Sequence, residues 1–120
     1  MGTQIYDLRD LIMMIKEKKG LDANLSLEFD CRIEADDITP IIKVINYAIN
    51  YVQQLTEQQM QISLNAGVNG LKIAFTASTE AAAFPEINPQ VKQTLEENDG
   101  KLELDGEPGK FVQLQILFED

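Results

Sequence analysis

Along the 120-residue chain, apolar positions repeat with two different periods, and each change of period marks an element. Ile5, Leu8, Leu11, Ile12 and Ile15 recur at spacings of three and four, which is one face of a helix. The pattern predicts a helix from Gln4 to Lys19, capped by Thr3 and stopped by Gly20. Asp7 and Asp10 fall early in it and Lys16, Lys18 and Lys19 late, as the helix dipole favours. From Leu25 to Ile33 the period drops to two. Leu25, Leu27, Phe29, Cys31 and Ile33 form one face, and Ser26, Glu28, Asp30 and Arg32 the other, so a strand with one wet side is expected. A second helix begins at Asp37 or Thr39, with Pro40 near its start, and runs to about Thr56. Its wide apolar sector includes five isoleucines (Ile38, Ile41, Ile42, Ile45 and Ile49), so packing rather than intrinsic propensity must hold it.

Period two returns at Met60–Ala66 and Leu71–Ala77. The intervening Gly67-Val68-Asn69-Gly70 predicts a hairpin turn. Residues from Thr79 to Asn88 have no period and read as a loop. Asn88 caps a third helix over Pro89–Asn98, with Val91 and Leu95 inward and Gly100 beyond its end. Strands at Lys101–Asp105 and Lys110–Phe118 flank the turn Gly106-Glu107-Pro108-Gly109. The order implies one domain over residues 1–120. Its fold class is α/β in the α+β sense: a two-layer sandwich with a mixed, mostly antiparallel five-stranded sheet and about three helices on one face.

Composition narrows the function by exclusion. Acidic residues outnumber basic ones 20 to 10, for a net charge of −10, so the average surface repels nucleic acid and anionic membranes. No apolar run spans a bilayer, and the N-terminus lacks the pattern of a signal peptide. With one cysteine and no histidine, the expected setting is the cytoplasm, and the easiest general base and commonest metal ligand are missing. Glu28, Asp30, Glu34, Asp36 and Asp37 fit no calcium loop and read as a solvated acidic face rather than a metal site. Cys31, on the apolar side of its strand, reads as a buried inert thiol. Ser78 and Thr79 lack a triad context, and Lys101 and Lys110 sit among acids. Ile12, Met13, Met14 and Ile15 are consecutive, so the first helix is either wrapped on more than one side by its own domain or meets another chain.

Several of these segments, in this order, resemble the ATP-binding domain shared by sensor histidine kinases, DNA gyrase B and the Hsp90 chaperone. Lys43-Val44-Ile45-Asn46-Tyr47-Ala48-Ile49-Asn50-Tyr51 is similar to the asparagine box of that family. The hairpin at 60–78 matches the strand pair after the box. Asn98 to Leu104, Glu107-Pro108-Gly109-Lys110 and the last strand resemble a kinase C-terminus, and the likeness covers about residues 25–118.

The departures bear on function. The family asparagine that holds magnesium falls at Tyr47, which has no amide carbonyl. Where the family has Asp-x-Gly-x-Gly to read adenine, this chain has Ala77-Ser78-Thr79-Glu80-Ala81-Ala82-Ala83. The connection to the third helix is too short for a nucleotide lid. The resemblance therefore implies a retained fold with a degenerate nucleotide site. Asn46, Tyr47, Asn50, Ala77, Phe84 and Gly100 are the candidates for a remnant pocket, with Phe84 placed to fill the space of adenine. No catalytic residue, metal or cofactor is expected. The expected function is a non-catalytic regulatory module whose partner is a protein, including a second copy of the chain, with the first helix (residues 1–20) as an interface candidate. An acidic surface favours a basic partner and salt-sensitive association. The alternatives are a small divergent nucleotide-binding ATPase or kinase-related domain, and a plain structural domain.

Overall fold

The computed structural model describes residues 3–68 and 70–119; Asn69 of the expected hairpin turn lies outside them. Ten elements follow one another: β1 (Gln4–Asp7), α1 (Leu8–Lys19), β2 (Ala23–Leu27), β3 (Arg32–Ala35), α2 (Thr39–Gln53), β4 (Met60–Gly67), β5 (Gly70–Ser78), α3 (Pro89–Glu97), β6 (Gly100–Glu107) and β7 (Phe111–Glu119). The main sheet has five strands in the order β2-β4-β5-β7-β6. Among the described residues, the one parallel pair is β2 with β4, and α2 lies in the connection that such a pair requires.

Register carries the hydrophobic pattern across the sheet. Leu25, Ile62, Phe75, Leu114 and Leu104 form one row, and Leu27, Leu64, Ile73, Ile116 and Leu102 the next. α2 packs over β5 and β7 on this face, and α3 over β6. Ile45, Ile49, Phe75, Leu95 and Leu114 are fully buried between the layers. The opposite face is polar: Asn24, Gln61, Thr76, Gln113 and Asp105 lie in one row, where Gln113 donates to Thr76 Oγ1 at 3.1 Å. This is the expected two-layer α+β architecture, with one wet sheet face.

Local expectations fail at the N-terminal third. Residues 4–7 are a strand, not the first turn of a helix. The Asp7 side chain accepts from the Arg9 N–H at 2.9 Å and starts α1 in place of Thr3, whose hydroxyl donates to Asp36. Strand β1 pairs antiparallel with β3, and the Leu8 N–H bonds the Cys31 carbonyl at 2.9 Å. The expected strand at 25–33 is two strands in two sheets. The break falls at Asp30, whose φ of +60° is left-handed. Phe29, expected on the apolar face, is 72% exposed, with the Arg9 guanidinium 4.5 Å from its ring centre.

α1 buries Leu8, Leu11, Ile12 and Ile15 and leaves Met13 and Met14 exposed, so its own domain covers a single face. α2 ends at Gln53, short of Thr56. At its start, the Asp37 carboxylate accepts from the Thr39 N–H at 3.0 Å. That bond, with help from the Thr39 side chain, holds the Asp37 pKa below the usual aspartate value. Among the described residues, no helix is long and apolar enough to cross a membrane.

Candidate functional site

The asparagine-box-like segment lies on α2, and its polar residues have structural partners. Asn46 turns back on its own helix and donates to the Ile42 carbonyl at 3.1 Å. Asn50 accepts from Lys19 Nζ at 3.1 Å, which ties the end of α1 to α2. Tyr47 and Tyr51 are one helical turn apart with ring centres 6.2 Å from each other. The Tyr47 hydroxyl accepts from the Asn88 N–H at 2.9 Å. Tyr51 is buried, and its hydroxyl donates to the Pro85 carbonyl. Desolvation, then the neighbouring Tyr47, raises the Tyr51 pKa, so its phenol keeps the proton it donates.

Both tyrosines therefore hold the 79–88 segment. Its beginning is tied separately. The Thr79 N–H bonds the Lys110 carbonyl at 3.0 Å, and the Thr79 hydroxyl donates to the Leu55 carbonyl. The Gly109 N–H bonds the Ala81 carbonyl at 2.7 Å. The segment between β5 and α3 is a strap fastened to α2 and to the β6–β7 turn, although it has no regular secondary structure.

Asn46, Tyr47 and Asn50 share α2, and the other candidates lie on other elements or, for Phe84, on the strap. Ala77 is buried in β5. Gly100 sits where α3 meets the sheet. A Cβ there would lie 2.6 Å from Leu95 Cδ1 and 3.1 Å from Phe118 Cε1, so close packing explains the glycine. Phe84 packs against the core and borders a groove along β6. Tyr51 is the residue that sequence reasoning passed over, although its spacing of four from Tyr47 was a usable signal.

The acidic stretch has structural duties. Glu28 accepts from the Ala66 N–H at 2.8 Å, and Asp30 pairs with Arg32 at 3.4 Å. Among the described residues, no group of three acidic or cysteine side chains converges to hold a metal. Cys31 is buried; desolvation, then Glu28, Asp7 and Asp30, raises its pKa and disfavours a thiolate. Lys101 and Lys110 are paired with Glu103 and Glu107 at 3.3 and 3.4 Å.

Set beside solved structures, this arrangement of helices on a mixed sheet has clear counterparts. The chain has the fold of the histidine-kinase ATP-binding domain. It is similar to the histidine kinase domain of the E. coli osmosensor EnvZ, with a TM-score of 0.74 at 11% identity, covering 99% of this chain and 89% of that one. The ATP-binding domain of PrrB from Mycobacterium tuberculosis gives 0.68 at 18% identity, with 98% of each chain covered. Full-length ShkA, solved in complex with AMPPNP, gives 0.74 at 14% identity, covering all of this chain (100%) and 32% of that one. No family model and no curated protein matches the sequence. In the sequence, Tyr47 stands within the segment of α2 that resembles the asparagine box, and Thr79-Glu80-Ala81-Ala82-Ala83 follows β5.

Proposed function

We propose that this chain is a non-catalytic regulatory module that docks a protein partner on a histidine-kinase ATPase fold and no longer uses nucleotide. The observation that carries the reading is the Tyr47–Asn88 contact. The residue at the magnesium-asparagine position is a phenol whose oxygen accepts from the backbone of the strap. A bulky ring with that engagement supplies no amide carbonyl to a hard cation. Tyr51 reinforces the closure through Pro85. With the adenine-reading aspartate and its glycines also absent from the sequence, recognition of both ends of the nucleotide is missing. What remains is an acidic scaffold suited to a basic partner.

One observation favours a second reading, a divergent nucleotide-binding domain. A polar groove of about 820 Å³ opens at the end of β5, bordered by Thr56, Glu57, Ser78, Glu80 and Lys110. That volume is in the range of small-molecule sites. Glu80 stands near the place of the family aspartate and could accept from an amino group. Calorimetric titration of the native chain and of Glu80→Gln with magnesium-ATP separates the readings. The docking-module reading expects no saturable heat from either protein at millimolar nucleotide. Saturable binding to the native chain that is lost in Glu80→Gln would overturn it and establish the second.

A further inference from the structure

The sheet has two edges, and they are not alike. β2 is five residues long, whereas β6 runs for eight without proline. In an antiparallel pair, alternate residues bond the neighbouring strand and the others point their N–H and C=O groups outward. β6 pairs with β7 on one side. Among the described residues, no backbone hydrogen bond reaches the outer side of residues 101–105. Edge strands are commonly blunted by lysine, proline or short length. β6 has one lysine, Lys101, and it is paired with Glu103 at 3.3 Å.

A groove of about 730 Å³ runs beside this edge. Phe84 and Ile87 of the strap and Leu102 and Leu104 of β6 line it, and Leu104 is 37% exposed. Its acidic members, Glu86, Glu103 and Asp105, outnumber its one cation, Lys92. Along β6 the residue types alternate: Leu102 and Leu104 lie in the apolar rows, and Glu103 and Asp105 in the polar rows.

We propose that β6 is a docking edge for an extended segment of another protein in which basic and apolar residues alternate. The segment adds a sixth strand to the sheet, and its backbone bonds the free outer side of β6. Its apolar side chains enter the groove lined by Phe84, Ile87, Leu102 and Leu104. Its basic side chains, pointing to the other face by the period of a strand, meet Glu103 and Asp105. Charge selects the partner. A second copy of this chain would set Glu103 and Asp105 against the same acids, and like charges opposed across strands destabilise pairing. The proposal rests on the protein-docking reading and names the partner's chemistry.

The test uses the full chain, isotopically labelled, and a synthetic eight-residue peptide of alternating lysine and valine. The control peptide holds the same residues as a block of four lysines followed by four valines. The expected result is saturable amide shifts at residues 101–105, 84 and 87, and an affinity that falls as salt rises. The Glu103→Lys/Asp105→Lys variant should weaken binding at least tenfold, with its amide spectrum unchanged away from the edge. Leu104→Ser, which leaves charge alone, should weaken it at least threefold. Four outcomes would each overturn the proposal: no saturation at millimolar peptide, equal binding of the block peptide, shifts centred elsewhere, or a β6-mediated dimer of the native chain. ATP added to the same sample keeps the two failures apart, because nucleotide binding defeats the docking-module reading whereas peptide failure defeats only this edge.

Discussion

The strap over α2 makes a quantitative prediction at Tyr51. Tyr51→Phe keeps the buried ring and deletes the hydroxyl that donates to Pro85. Apolar burial is unchanged, so the loss is one neutral hydrogen bond, worth about 0.5–1.5 kcal/mol net. At about 1 kcal/mol, the open population of the strap rises roughly fivefold. Glu86 lies within the strap and is exposed, so cleavage after it by a glutamyl protease reports opening when reclosing outpaces cleavage. The expected result is a roughly fivefold faster first cut after Glu86 in Tyr51→Phe, with native-like circular dichroism. Tyr47→Phe removes the acceptor for the Asn88 N–H and should act in the same direction. The two rings are close enough for the double variant to depart from additivity. An unchanged rate after Glu86 in Tyr51→Phe and in the double variant would refute the strap.

Three other outcomes are expected. The raised Tyr51 pKa means that its contribution to stability is complete below the ordinary tyrosine value of about 10 and is lost as pH rises through the folded-state value. Urea midpoints followed upward from about pH 9 should fall, and Tyr51→Phe should flatten that limb. Asp37 has the opposite sign: its lowered pKa gives stability that is complete above the ordinary value of about 4 and lost on acidification, and Asp37→Ala should shallow the acid limb of the same profile. Gly70→Ala should cost about 2 kcal/mol or more in thermal or urea unfolding, because φ there is +130° and the new Cβ would lie 1.9 Å from the Phe118 carbonyl oxygen, where β5 meets β7.

Much of the fold was legible because period and turn chemistry agreed. α2 and α3, the β4–β5 hairpin and the β6–β7 hairpin all lie where apolar spacing places them, within a few residues. The failures have a common cause in long-range pairing. The four residues Gln4–Asp7 are too few for period to separate a strand from the first turn of a helix, and the deciding partner, Arg32–Ala35, is distant in sequence. Alternation through Leu25–Ile33 continues across the change of sheet at Asp30, whose left-handed conformation is usually signalled by glycine. At the site, that a tyrosine stands at position 47 was readable because it concerns residue type alone. The role of Tyr51 was not, because its partner is a backbone carbonyl in a loop without periodicity. The open edge of β6 was equally hidden, since strand order decides which strand is left unpaired.

The central claim is that the ATPase fold is retained while the nucleotide function is gone. An amide-resolved NMR titration of the full chain with ATP, with and without magnesium, tests it most directly. The account predicts no saturable shifts at millimolar nucleotide. Saturable shifts clustered on Asn46, Tyr47, Ala77 and Gly100 would contradict it, and would show that the old cleft still binds nucleotide through other contacts.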